Sequence, residues 1–168
     1  GNAVSMTTTL NGSFGCGLLV PGAGFLLNNE MDDFATAKNT PNSYGLIDTR
    51  GANLPAAGKR PLSSMTPTII DRDGKLFMVS GSPGGPRIIT TTLLTILNVV
   101  DWKMDAKAAV SAPRYHHQWD PNKLRVAPEL ADEAISALAA TGHVVERRSR
   151  HWSAAERLVV DSAPGSHV

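Results

Sequence analysis

Cysteine is nearly absent from this chain of 168 residues: the single Cys16 excludes an internal disulfide, so cross-links do not hold the fold together. It stands between Gly15 and Gly17 with no histidine or aspartate close in sequence, which favours an inert thiol over a nucleophile or ligand. A charge excess of either sign is also missing. Lys plus Arg number 16 against 15 for Asp plus Glu, a formal net charge of +1, and the clustered basic excess of a nucleic-acid binder is not there. The one basic knot, Arg147-Arg148-Ser149-Arg150, follows Glu146 and reads as a solvated turn. No apolar run reaches the roughly 18 residues of a membrane-span candidate. The longest stretch, Ile88 to Val100, is interrupted by Thr90, Thr91, Thr92, Thr95 and Asn98. No signal-peptide pattern opens the sequence, and it contains neither an internal repeat nor a low-complexity tract. With 42% hydrophobic and 18% charged residues, it is too apolar and too weakly charged for a disordered tail. It is long enough to build one domain around a core.

What is present divides along the chain. The 15 glycines and 11 prolines concentrate before position 87, which predicts strands joined by shaped loops. The later half is richer in alanine and leucine at helical spacing. Asn2 to Thr9 alternates and is β-branched, Asn11-Gly12 is a turn signal, and Phe14 to Val20 and Phe25-Leu26-Leu27 read as further strands. Ala35 to Lys59 holds Pro41, Gly45, Gly51, Pro55 and Gly58 without a clean period and reads as a long loop of the functional kind. Thr66 to Asp71 and Lys75 to Ser80 form a hairpin about Asp73-Gly74. Arg87 to about Trp102 is β-branched, but its length and glycine-rich entry predict a buried helix. A short helix follows over Asp105 to Ser111, ended by Pro113, and a clear one over Glu129 to Thr141, closed by Gly142. His143 to Arg147 and Arg157 to Asp161 finish as strands. The fold class is α+β, as one domain over residues 1–168.

Three constellations can carry chemistry. Asn29, Glu30, Asp32 and Asp33 follow a buried apolar strand, where so much negative charge is costly. Such a cluster lies at the surface, binds a metal, or meets a cationic ligand group. It has no His or Cys and lacks the calcium-loop spacing, so an ammonium fits the chemistry better than a metal. Ser63-Ser64, stiffened by Pro61, offers two adjacent hydroxyl donors to one carboxylate, or is a pair of turn serines. Gly81-Ser82-Pro83-Gly84-Gly85 enters a helix with free backbone N–H groups suited to an anion or a developing oxyanion, and no Gly-Lys-Ser/Thr follows to make it a phosphate loop. His116-His117 points to opposite faces of an extended chain and reads as a packed, hydrogen-bonded pair.

In their order along the chain these motifs resemble the small subunit of γ-glutamyltransferases, also called glutathione hydrolases. The resemblance rests on Thr9-Leu10-Asn11, Leu27 to Phe34, Pro41 to Leu46, Pro61 to Met65, Gly81 to Gly85 and Pro113 to Trp119. It implies a four-layer αββα sandwich of the N-terminal-nucleophile hydrolases. It also implies an autoprocessed precursor, a large-subunit partner from that precursor, and an N-terminal threonine nucleophile that forms a γ-glutamyl-enzyme. Glutathione or a related γ-glutamyl compound would be the donor, and water, an amino acid or a peptide the acceptor. By position, Thr9 would contact and help activate the nucleophile. Asn11, Glu30 and Asp33 would hold the α-ammonium, and Ser63 and Ser64 the α-carboxylate. Gly84 and Gly85 would form the oxyanion hole, and Tyr44 a lid bonded to Asn11.

No cofactor, metal, nucleic acid or membrane span is expected, and the resemblance implies a periplasmic, secreted or cell-surface setting. The family's nucleophile segment would lie upstream of Gly1 and its final strand beyond Val168, so a domain truncated at both ends and inactive by itself is expected. Two rivals stand beside this reading. A glutaryl-type acylase would leave Glu30 and Asp33 unpaired against its substrate, and a fragment or degenerate homologue would bind or associate without chemistry.

Overall fold

The computed structural model describes residues 2–159. The chain divides into two compact units, one spanning Thr8–Ser63 and the other holding the remainder of the described residues. The larger unit carries all the named strands and α-helices.

Its first sheet grows from the predicted hairpin. Strand β1 (Thr68–Arg72) turns at Asp73-Gly74 into β2 (Lys75–Gly81). Both turn residues have positive φ, 55° and 73°, the handedness that matches the twist of the flanking strands. The pairing Thr68↔Ser80 and Ile70↔Met78 shifts by one residue after Ile70, a bulge near the turn. Strand β6 (Glu156–Val159) lies antiparallel on the other edge of β2, giving the order β1-β2-β6. The end of the expected last strand, residues 160 and 161, lies outside the described residues.

Helix α1 (Arg87–Val100) packs against this sheet. Its β-branched composition favours a strand locally, yet Ile88, Thr91, Thr92, Thr95 and Val99 recur at helical spacing and are buried. The hydroxyls on that face fare differently: Thr92 Oγ1 accepts from Thr66 Oγ1 at 3.2 Å, Thr91 Oγ1 is buried without a hydrogen-bond partner among the described residues, and others bond their own helix. Thr95 Oγ1 donates to the Thr91 carbonyl at 2.8 Å and Thr90 Oγ1 to the Arg87 carbonyl at 3.2 Å. The core joins Met78 of β2, Val99 of α1 and Ala109, with Ile70, Phe77, Ile96 and Met104 packed around them. Ala109 belongs to helix α2 (Ala106–Ser111), whose Asp105 cap accepts the Ala108 N–H at 2.7 Å. Asn98 Nδ2 donates to the Ala109 carbonyl at 3.0 Å and ties α2 to α1.

The second sheet is small: β3 (Tyr115–His116), β4 (Leu124–Val126) and β5 (Val145–Arg147). β3 runs antiparallel and β5 parallel to the central β4. Segments of two and three residues are too short to show a period, so β3 and β4 were not foreseen. Helix α3 (Asp132–Ala140) connects β4 to β5. It starts later than Glu129 because Leu130 N–H closes a turn on the Ala127 carbonyl at 3.2 Å and Ala131 is extended, with ψ 145°.

The expected strands before residue 28 form no regular ladder. Residues 2–8 alternate between exposed and half-buried as an extended segment would. Ser5 Oγ donates to the Ser80 carbonyl at 3.0 Å, but no ladder of the described residues includes this segment. Leu18 to Val20 and Phe25 to Leu27 make an irregular hairpin with one bridge, Leu19↔Leu26. Its backbone bonds are Val20 N–H to Phe25 O and Leu27 N–H to Leu18 O, both 2.9 Å. Gly15 anchors it at φ 54°, where an added Cβ would sit 2.0 Å from the Leu27 carbonyl oxygen.

Candidate active site

The polar cluster of the Thr8–Ser63 unit is shaped by amide side chains. Asn28 Oδ1 accepts the Glu30 N–H at 3.0 Å and opens a single 3₁₀ turn, Glu30–Asp33. Asn29 Oδ1 accepts the Gly12 N–H at 2.8 Å, and Asn29 N–H donates to the Leu10 carbonyl at 3.0 Å. Asn11 takes φ 70°, a left-handed conformation that asparagine tolerates. From there its Nδ2 donates to the Asn29 carbonyl at 3.2 Å and to Asp32 Oδ2 at 3.4 Å, and its N–H donates to Thr9 Oγ1 at 2.8 Å. The Tyr44 hydroxyl donates to the Asn11 carbonyl at 3.0 Å. Thr9, Asn11, Glu30, Asp33 and Tyr44, scattered over the sequence, thus share one region of this unit.

Glu30 and Asp33 are the electrostatic feature of that region. Their carboxyl groups act on each other, and both are pushed above the ordinary carboxylate range, burial being the largest cause in each. For Glu30 the Asp33 hydrogen bond and charge raise it further, while a bond from Thr9 opposes. For Asp33 the Glu30 bond opposes and the Asp32 charge adds to the rise. Glu30 Oε1 is buried and accepts no hydrogen bond. No basic side chain among the described residues makes an ion pair with either carboxyl. Two crowded carboxyls raised in this way bind a proton or another cation more tightly than separated ones would.

The long loop after this turn is ordered by polar contacts. Asp48 accepts four backbone N–H groups, from Arg50, Gly51, Ala52 and Asn53, at 2.7 to 3.2 Å. Those bonds, led by that of Asn53, hold its carboxyl below the usual aspartate range. Asn53 in turn donates to the Asp33 carbonyl at 2.7 Å and accepts the Leu62 N–H at 2.9 Å, tying the loop to the acidic turn. Asn42 accepts from Tyr44 N–H at 3.1 Å and Leu46 N–H at 3.0 Å, and donates to the Asp32 carbonyl at 3.1 Å. Sequence reasoning missed Asn42, Asp48 and Asn53. Asn42-Ser43 before Gly45 and Asp48 three residues before Gly51 were the available turn signals, and Asn53, followed by Leu54, carried none.

Ser63 is exposed and ends this unit; Ser64, half-buried, begins the next. In the larger unit Gly84 and Gly85, at φ 138° and 59°, turn the chain into α1. Their carbonyls accept from Arg87 N–H at 3.3 Å and Ile88 N–H at 3.0 Å. Their own N–H groups donate to no described residue. N–H groups at the positive end of a helix dipole are of the kind that can bond an anion.

The two histidines diverge as predicted. His116 is buried between Thr90 Oγ1, 2.8 Å from Nδ1, and Gln118 Oε1, 3.0 Å from Nε2; burial lowers its pKa. His117 instead meets Asn122 Oδ1 at 3.1 Å and the Trp119 N–H at 3.0 Å. Among the described residues no group of three or more His, Cys, Asp or Glu side chains is placed to hold a metal ion, and no helix is long and apolar enough to cross a membrane. Cys16 is exposed.

The model of the gamma-glutamyltranspeptidase family matches residues 1–165. The chain belongs to that family. It is 48% identical over 145 residues to the glutathione hydrolase proenzyme of Escherichia coli K12 and 55% identical over 126 residues to that of a Pseudomonas strain. The alignments cover 86% and 75% of this chain, yet only 25% and 22% of those relatives. The chain therefore spans about a quarter of the length of these two relatives. A crystal structure of a Helicobacter pylori gamma-glutamyltranspeptidase mutant superimposes with a TM-score of 0.93 at 45% identity, covering 100% of this chain and 90% of that one. The fold of this gamma-glutamyltranspeptidase-family chain is accordingly the α+β fold of the N-terminal-nucleophile hydrolases, as the six motifs implied.

Proposed function

We propose that this chain supplies the substrate-holding and oxyanion-binding groups of an enzyme that transfers or hydrolyses γ-glutamyl groups, with glutathione or a similar γ-glutamyl amide as donor. The observation that carries the reading is the Glu30–Asp33 pair: two raised carboxyls, one with a buried oxygen that accepts nothing, in a family of glutathione hydrolases. A substrate α-ammonium supplies the positive charge and three donors that such a pair accepts. Asn11 Oδ1 adds a neutral acceptor, and Thr9 and Tyr44 hold Asn11 through its N–H and its carbonyl. Ser63 and Ser64 are assigned to the α-carboxylate, where two hydroxyl donors replace water.

The reaction assigned is acyl transfer. A threonine hydroxyl attacks the γ-carbonyl carbon, and the carbonyl π electrons move onto oxygen. The N–H groups of Gly84 and Gly85 bond that oxyanion more strongly than they bond the planar carbonyl, which lowers the barrier. Collapse expels the amine with a proton and leaves a γ-glutamyl ester; water or an amine then takes the acyl group by the same path reversed. The nucleophile's role is assigned to none of the residues discussed above, and a large-subunit partner cut from a common precursor is part of the proposal.

The test is turnover by the longest natural polypeptide that contains these residues. It should release nitroaniline from γ-glutamyl-4-nitroanilide and should not act on the glutaryl analogue, which lacks the ammonium. Asp33→Asn should lower kcat/KM for the γ-glutamyl substrate by about 100-fold or more, since it weakens a charge-assisted contact. Faster turnover of the glutaryl analogue by the unaltered protein would overturn this reading in favour of an acylase.

A further inference from the structure

Gly84 offers its N–H as an oxyanion donor only if its peptide plane is aimed, and nothing on Gly84 itself can aim it. The plane is shared with the Pro83 carbonyl: in a trans peptide the C=O of one residue and the N–H of the next point in opposite directions. Whatever fixes Pro83 O therefore fixes the direction of Gly84 N–H. Two hydroxyls converge on that oxygen. Ser82 Oγ, on a residue only 5% exposed, donates to Pro83 O at 2.7 Å, and Ser153 Oγ donates to the same oxygen and touches Ser82 Oγ. Each hydroxyl has one proton, so at most two of these three contacts are hydrogen bonds at once. Every arrangement that uses both protons among them still leaves Pro83 O with at least one donor.

Ser153 comes from far along the chain and is itself held. Arg114 Nη1 donates to the Ser153 carbonyl at 3.0 Å and to the Trp152 carbonyl at 3.3 Å, while Nη2 donates to the Val110 carbonyl of α2. Ser153 sits at φ 67° and presses on the glycine turn. A Cβ added to Gly84 would lie 2.9 Å from Ser153 Oγ and 3.1 Å from its Cβ. The absence of a side chain at Gly84 thus serves two ends, the φ of 138° and the close approach of the serine behind it.

We propose that Ser82 and Ser153 are positioning residues, a hydroxyl clamp on the Pro83 carbonyl that orients the Gly84 N–H toward the developing oxyanion. The proposal rests on the acyl-transfer reading above, and its test separates the two. In the longest natural polypeptide, Ser153→Gly removes the hydroxyl while suiting the positive φ, and Ser82→Ala removes the other. Each should lower kcat on γ-glutamyl-4-nitroanilide by roughly tenfold, less than loss of a whole oxyanion donor, with KM moved less than about twofold. Ser82→Thr, which keeps a hydroxyl, should restore most of kcat. Because the two serines act on one carbonyl, the double variant should lose less than the product of the single losses.

Glycine-selective 15N labelling reads the clamp without turnover: Ser153→Gly should shift the Gly84 amide resonance while distant glycines such as Gly142 stay in place. If the unaltered protein turns over no γ-glutamyl substrate, the functional reading falls and the amide shift alone decides the clamp. An unmoved Gly84 resonance, or unchanged kcat in both single variants of an active enzyme, overturns the clamp.

Discussion

The two units of this chain are held in different ways. The larger one is organised by apolar burial: Met78 at the centre of a hairpin strand, Val99 on α1 and Ala109 on α2 close one core, and sheets and helices supply the backbone bonds. The Thr8–Ser63 unit has Phe34 and Ala35 as its only buried apolar residues, no named strand and a single 3₁₀ turn. Turns and one irregular hairpin pair part of its backbone, and Asn28, Asn29, Asn42, Asp48 and Asn53 bond further backbone groups through their side chains. The acidic turn lies in the irregular unit, and the glycine turn that enters α1 lies in the regular one.

Breaking each unit in its own currency tests this contrast. The largest effect is expected from Met78→Ala, which empties a fully buried position and should cost about 2–5 kcal/mol in denaturant unfolding. The polar unit should answer instead to Gly15→Ala. The new methyl would meet the Leu27 carbonyl oxygen, so the hairpin must shift. Hydrogen exchange over residues 12–29 should accelerate while α1 keeps its protection. Asp48→Ala should act more locally, exposing the amides of residues 50–53 to exchange with little change in the overall unfolding midpoint. Since the Asp48 pKa is depressed, its contribution is fully present above the unfolded aspartate range and fades as pH falls through its lower folded value. The ordinary protein should lose protection of those amides in acid, and the variant should show no such step.

The smallest effect has the opposite sign. Glu30 and Asp33 have raised pKa values, so the folded chain binds protons more tightly than the unfolded one, and stability falls as pH rises through and above the ordinary carboxylate range. Asp33→Asn should slightly raise the melting temperature at pH 7 and leave it nearly unchanged at pH 4. A lower melting temperature at pH 7 would show that the pair is structural rather than a strained binding device.

Much of the regular unit was legible in the sequence. Asp73-Gly74 gave the hairpin, and the threonine-rich helix could be told from a strand by its length and its glycine entry. The strand expected over Phe14 to Val20 fails at Gly15 and Gly17, whose positive φ bends the chain out of any ladder, as Gly22 and Gly24 do just beyond it. β3 and β4 escaped because pairing, not pattern, makes strands of two or three residues.

The sequence alone carried the α+β class, through turn chemistry and periodicity, and the family, through the order of its six motifs, and that resemblance named the residues expected to hold an ammonium or an oxyanion. The resemblance already implied that Tyr44 bonds Asn11, but nothing in the sequence told that burial raises Glu30 and Asp33 together or that Ser153 stands behind Gly84. Ser82 and Ser153 are 71 residues apart, and Tyr44 and Asn11 are 33. No local rule relates such positions. Only the closed chain brings them within hydrogen-bond distance, where burial and a shared carbonyl give them their chemistry.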